Sequence, residues 1–369
     1  MSAAPARKHL IMLDGIRGIA ALVVVFCHLG NAIGLGEYNP HTYLAVEYFF
    51  ILTGFVLAYA YDGRWAKGMT TWEFFRRRLV RLHPLVPVAV LLGLVAALFT
   101  DAASLGSWGQ LALWAAGCLL MIPALSSPLL NPFNGPVWTL YYEYFANILY
   151  ALVLRRIGRR TLIALTAVAA CASVLVGLRI DLFGLLLNHG YTLMSGWGTS
   201  GAHFYCATTR LAFPLLAGLL ICRSGWKIRI PHAFWPTAAV FAALLLWPVF
   251  PGEFPWRGGF ANGIYELGVL FVAMPLVLMI GVGDETDPGS RTAKFARFFG
   301  DISFPLYMTH YPFTHLIYFF VKEHHVTLTC ADKVLVSVGF YAFALALAYV
   351  AKRFWADPIG KRLFAEGAK

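Results

Sequence analysis

Charge is scarce in this chain. Of its 369 residues only 13% are charged, 59% are hydrophobic, and the mean hydropathy is +0.68. Soluble globular domains carry about a quarter charged residues, and disordered chains carry fewer apolar ones than this; both classes are excluded. Acidic residues are the scarcer sign, 18 against 29 Lys and Arg. In a membrane protein that basic excess belongs to cytoplasmic loops beside anionic lipid, so the net charge of +11 is no argument for nucleic acid, and none is expected as a partner. Metal-ligand spacing is missing too. Cys27, Cys118, Cys171, Cys206, Cys222 and Cys330 are scattered, mostly through apolar runs, and no P-loop, Rossmann glycine fingerprint, zinc pattern or Gly-x-Ser-x-Gly elbow stands in a suitable context. The expectation is no metal and no permanently bound cofactor. Without repeats, low-complexity tracts or a soluble appendage, residues 1–369 read as a single integral membrane domain. Arg7, Lys8 and His9 precede an apolar run as in a signal peptide, but no small-residue cleavage site follows and Arg17 interrupts the run. It reads as a retained first span.

What the chain does have is apolar length. Eleven segments approach the ~20 residues of a spanning helix: 16–34, 43–61, 83–99, 108–124, 136–154, 161–177, 205–222, 233–249, 261–281, 300–321 and 334–351. Charge bias arbitrates between topologies. If 108–124 dips in and returns, 24 of the 29 basic residues fall on one side, leaving Arg179, Arg210, Arg257, Lys322 and Lys333 opposite. If all eleven segments cross, the bias vanishes. The positive-inside rule therefore predicts an all-α polytopic bundle of about ten transmembrane helices plus one re-entrant or dipping segment, with both termini cytoplasmic. One larger external loop, about 178–204, holds Asn188-His189-Gly190-Tyr191 and Ser195-Gly196-Trp197-Gly198. It serves either as a plain connection or as a sugar-lining surface.

Ionisable residues inside apolar segments are costly there and mark function by default. Arg17 and His28 are eleven residues apart, three helical turns, so they share a face that Asp14 joins. The rise of ~1.5 Å per residue sets His28 roughly 16 Å deeper than Arg17, near mid-bilayer if Arg17 marks an edge. A neutral imidazole there can take a proton from a hydroxyl, or simply pack against a neighbouring helix. Arg76-Arg77-Arg78-Leu79-Val80-Arg81-Leu82-His83-Pro84 precedes the third span. Arg78 and Arg81 lie on one helix face, where a guanidinium pair can grip a diphosphate; a topogenic patch beside anionic lipid explains them as well. Glu143 needs a partner at its depth, either His28, acceptor hydroxyls or Arg210. Tyr307 and His310 share a face at i, i+3, suited to substrate binding or to helix packing. Glu47 and the Thr53-Gly54-Phe55 step are explained by a buried hydrogen bond and a close helix contact.

Six blocks in this order resemble the acyltransferase 3 family of integral membrane O-acyltransferases. They are Leu13-Asp14-Gly15-Ile16-Arg17-Gly18-Ile19-Ala20-Ala21 with His28, Phe49-Phe50-Ile51-Leu52-Thr53-Gly54-Phe55, Arg78-Leu79-Val80-Arg81-Leu82-His83-Pro84, Trp138-Thr139-Leu140-Tyr141-Tyr142-Glu143, Arg210 ahead of Pro214 and Gly218, and Ile302-Ser303-Phe304-Pro305-Leu306-Tyr307-Met308-Thr309-His310. Thr53 stands where the family usually has Ser, and His83 where Tyr is common. The resemblance implies a ten-span enzyme of the bacterial inner membrane. It moves an acyl group, most often acetyl, from acyl-CoA to a hydroxyl of a cell-surface or secreted carbohydrate or glycolipid. It implies a catalytic role for Arg17 and His28 and contacts to the CoA phosphates from Arg78 and Arg81, with Arg77 beside them. On this reading Asp14 and Arg17 orient His28, Glu143 assists, and His310, Tyr307 and Arg210 line the acceptor side. The competing reading is a transporter or flippase for a glycolipid or organic anion, with the buried ionisable residues as a relay; a non-catalytic partner of a polysaccharide synthase is a third.

Overall fold

Hydrocarbon offers no partner to backbone N–H and C=O groups, so an apolar chain satisfies them within helices. The computed structural model, which describes residues 9–35, 40–100, 107–186, 189–252 and 258–365, is 76% helix without strands among the described residues. Arg7, Lys8, Arg257 and Lys369 of the charge tally, and Asn188 of the loop expected to be external, lie outside the described residues.

Seven helices are long and apolar enough to cross a membrane. In chain order the helices are α1 (Ile11–Ala32), α2 (His41–Trp65), α3 (Thr71–Thr100), α4 (Trp108–Leu119), α5 (Trp138–Leu152), α6 (Arg159–Gly177), α7 (Gly201–Ser224), α8 (Phe234–Leu246), α9 (Phe260–Gly283), α10 (Arg291–Thr309), α11 (Tyr311–Glu323) and α12 (Cys330–Leu363). The seven are α1, α2, α3, α6, α7, α9 and α12. Ten crossings require, beyond these, α5, α8 and the consecutive pair α10–α11. The twelve residues of α4 span about 18 Å by helical rise, short of the ~30 Å hydrocarbon core.

Helix starts follow local chemistry. A capping box between Thr70 and Glu73 opens α3, so the basic cluster 76–81 lies within that helix, as expected of Arg78 and Arg81. Basic ends gather at one end of the bundle: Arg223 near the end of α7 bonds Asp62 of α2 at 2.8 Å and the Leu154 carbonyl at 3.0 Å, and Arg155 stacks 3.9 Å over Trp65. Wider π turns interrupt α2 at Ala58–Asp62, α9 at Val269–Ala273 and α12 at Ala351–Ala356.

Helix α1 lies along α10, and α2 along α7. The second pair approaches at reciprocal glycines. A Cβ on Gly54 would stand 2.0 Å from the Leu215 carbonyl oxygen, and one on Gly218 would stand 2.0 Å from that of Ile51. Both clashes are with backbone, which cannot rotate away. Gly54→Leu is therefore expected to cost about 1–3 kcal/mol or more from overpacking, read as a lower detergent melting temperature beside an unaltered Gly158→Ala control, whose Cβ meets open space.

Candidate active site

The first spans build the site from one side and α10 from the other. Arg17 reaches from α1 to α10, where its Nε donates to Ser303 Oγ at 2.9 Å and its Nη2 to the Gly300 carbonyl at 2.6 Å. Asp14 lies 3.3 Å from Arg17 and 2.8 Å from His9. The expectation that Asp14 and Arg17 orient His28 is corrected by distance: three to four turns of helix, about 16–21 Å, separate them. His28 sits one turn before the end of α1 at Ala32.

Its partner is another histidine. His28 Nδ1 lies 2.9 Å from His310 Nε2, and His310 Nδ1 lies 2.9 Å from the Leu306 carbonyl. A carbonyl only accepts, so His310 carries its proton on Nδ1 and, with both rings neutral, offers a lone pair at Nε2. His28 then donates from Nδ1, and the network fixes the tautomer that leaves its Nε2 lone pair uncommitted within the pair. His310 is fully buried and the His28 ring is partly exposed, with Tyr311 edge-on at 5.1 Å.

The break between α10 and α11 makes this possible. Pro312 has no N–H for the Met308 carbonyl, and Asn134 Nδ2 donates to it instead at 2.9 Å. Tyr307 donates to the Pro136 carbonyl at 2.8 Å, with Thr139 Oγ1 also at 2.8 Å. These bonds join the start of α5 to the end of α10.

A cavity of about 400 Å³ opens beneath the histidine pair. Arg17, Thr53, Arg78, Arg81 and Glu143 supply its polar wall, and Phe49, Phe304, Tyr307 and Met308 are among its apolar lining. Its lining includes neither histidine; Tyr307 and Met308, one turn before His310, are as near as it comes. Lys352, Ala356 and Asp357 of α12 border it as well.

Two expected contacts are corrected here. Glu143 meets neither His28 nor Arg210: Arg78 Nη2 donates to it at 2.5 Å and Thr53 Oγ1 at 2.7 Å. That bond also commits Arg78, expected to grip phosphate, while Arg81 stays at the cavity edge and Arg77 lines a neighbouring hollow. Glu143→Leu would strand a guanidinium whose side chain is 6% exposed, and is expected to cost about 3–5 kcal/mol, seen as a lower melting temperature that Arg78→Met in the same chain partly restores. Arg210, expected on the acceptor side, is sealed in the bundle. It forms a bidentate pair with Glu47 and donates to the carbonyls of Ser195 at 2.6 Å and Tyr43 at 2.8 Å, with Trp138 5.3 Å away.

The loop at 178–204, expected to be external, turns part of its polar content inward rather than presenting it as a surface. Thr192 and Ser195 are buried, and Glu266 of α9 accepts from Tyr43, Asn262, Thr192 Oγ1 (2.8 Å) and the Leu193 N–H (2.5 Å). His41 joins through Asn262 at 2.8 Å. Sequence reasoning missed this network, although Glu266 inside an apolar run was the signal for it.

Residues 10–353 match the model of a family described as an acyltransferase domain. Curated relatives include Protein 2 in picA locus of Rhizobium radiobacter, 36% identical over 48% of this chain and 96% of its own length. Peptidoglycan O-acetyltransferase OatA of Listeria monocytogenes is 24% identical over 83% of this chain, and Acyltransferase MdmB of Streptomyces mycarofaciens 31% over 42%. The matches span 50% of OatA and 42% of MdmB. No solved structure matches.

Proposed function

The chain belongs to the acyltransferase 3 family, and on that premise we propose that it transfers an acyl group, acetyl in the simplest case, from acyl-CoA to a carbohydrate hydroxyl. The observation that carries the reading is the hydrogen-bonded chain from His28 through His310 to the Leu306 carbonyl. A base held in one tautomer by a second ring is what general-base attack by a hydroxyl needs. Carbohydrate as the acceptor class draws on the peptidoglycan O-acetyltransferase among its relatives.

In this mechanism the thioester arm enters the 400 Å³ cavity from the end where the basic residues gather, taken as cytoplasmic. Tyr307 and Met308 are the part of the cavity wall that separates the thioester carbonyl from His28. His28 Nε2 accepts the acceptor's hydroxyl proton as the oxygen bonds to that carbon. The carbon–sulfur bond then breaks, and the proton returns from His28 to the departing thiolate. His310 positions His28, while Arg17, through Ser303 and Gly300, holds α1 against α10. Ten crossings, both termini cytoplasmic and a bacterial inner-membrane address complete the proposal.

Proteoliposomes of the purified protein, given labelled acetyl-CoA and a peptidoglycan or oligosaccharide acceptor, should release free CoA thiol in step with labelled ester. Uptake or flipping of the acceptor without any thiol release would instead assign the chain to transport.

A further inference from the structure

Helix α11 follows His310 directly and carries a row of rings. Tyr311, His315, Tyr318 and Lys322 recur at spacings of four, three and four residues, which keeps them on one helix face. Tyr311 meets His28 edge-on at 5.1 Å. The His315 ring lies 6.1 Å from Tyr311 with its plane within 16° of it, and Tyr318 lies 6.5 Å beyond, within 20° of His315. Lys322 Nζ stands 5.7 Å from the Tyr318 ring centre. Exposure rises along the row: Tyr311 and His315 are half-buried, Tyr318 is 43% exposed, and Lys322 is exposed. Packing uses the opposite face, where Phe313 and Ile317 rest against the cluster that includes Leu29 and Ile33 at the end of α1. Gly135 makes room for the first ring, since a Cβ there would stand 3.3 Å from Tyr311 Cζ and Oη.

We propose that this row is a track for the acceptor glycan. It brings the sugar bearing the reacting hydroxyl to His28 and seats the sugars beyond it on His315 and Tyr318. The inference rests on the acceptor being a carbohydrate. A pyranose ring has an apolar face of C–H bonds and a rim of hydroxyls; Tyr and His match both, with an apolar body and a polar tip. Near-parallel, offset rings form a stepped platform for successive sugars. From Tyr311 to Tyr318 the helix rises about 10 Å, the length of a disaccharide. Lys322 supplies N–H donors to sugar oxygens at the far end. An aromatic belt that only anchors a helix in the membrane interface needs neither near-parallel rings nor a first ring set against the base. Seating distant sugars is binding remote from the reacting centre, so it favours long acceptors over short ones.

The test compares acceptor lengths in proteoliposomes of the purified full chain supplied with labelled acetyl-CoA. The probes are glucose, mannose and N-acetylglucosamine, each as the monosaccharide and as its linear tetrasaccharide. The wild type is expected to favour a tetrasaccharide in kcat/KM by about tenfold or more, the worth of aromatic stacking contacts. Tyr318→Ala is expected to raise the tetrasaccharide KM by about tenfold, while the KM values for the monosaccharide and for acetyl-CoA stay within about twofold. Tyr318→Trp restores the preference for length. Tyr318→Leu, which keeps apolar bulk for lipid but offers no ring, does not. A melting temperature matching the wild type verifies the fold of each variant. A wild type indifferent to length, or a preference that survives Tyr318→Ala, overturns the track. Equal loss for both lengths, or restoration by Tyr318→Leu, overturns it in favour of a lipid anchor. A wild type that esterifies none of the sugars overturns the carbohydrate reading itself.

Discussion

His28→Ala yields a folded protein that transfers acyl groups about 10²–10⁴ times more slowly, the ordinary worth of a positioned general base. The side chain is on a partly exposed face, so its removal leaves the bundle's packing largely intact. The measurement is acyl ester formed per unit of protein in proteoliposomes, beside a melting curve that matches the wild type. His310→Ala gives a smaller loss, because His28 Nε2 survives but loses the ring that holds its tautomer. If His28→Ala keeps wild-type turnover while remaining folded, the proposed base is wrong. Hydroxyl attack without proton removal predicts equal rates for both variants and would be read from the same experiment.

Arg210→Met should destabilise the fold severely rather than merely slow the reaction. The guanidinium and the Glu47 carboxylate are 1% and 0% exposed, and removing one member leaves the other charged and enclosed, at a cost of about 3–5 kcal/mol. That is a large share of the ~5–15 kcal/mol stability of a typical domain. Glu47→Leu alone should be as damaging. The double variant Glu47→Leu/Arg210→Met is expected to recover much of the loss, since an apolar pair in place of a buried ion pair is often neutral. Melting temperature and monodisperse yield in detergent read all three. A single Arg210→Met that stays fully stable, yet fails to transfer acyl groups, would return Arg210 to the substrate side.

These two outcomes separate residues that look alike in sequence. Arg17, Arg78, Arg81 and Arg210 are all arginines in or beside apolar segments. Counting turns showed which share a helix face with which, because helical spacing is a local property. It did not show what each face meets. Arg17 finds Ser303, 286 positions away, and Arg210 finds Glu47, 163 positions away; pairing at that range depends on how the helices are ordered around the bundle. The assumption that charged residues on one face serve one another failed for Asp14 and His28 for the same reason. Inside a membrane a polar side chain takes the nearest partner on a neighbouring helix rather than one several turns along its own.

Composition, apolar length and the six ordered blocks were sufficient for the all-helical membrane class and the acyltransferase family, since burial of backbone in lipid leaves few alternatives and the motifs are contiguous. They also marked His28 and His310 separately as intramembrane histidines. Only the packed bundle joined those two rings, gave Glu143 to Arg78 instead of His28, folded the 178–204 loop onto Glu266, and brought the C-terminal turns against the basic start of α3. Each of these is a contact between distant helices, set by close approaches such as Gly54 against Leu215, and no pattern of spacing within one segment carries that information.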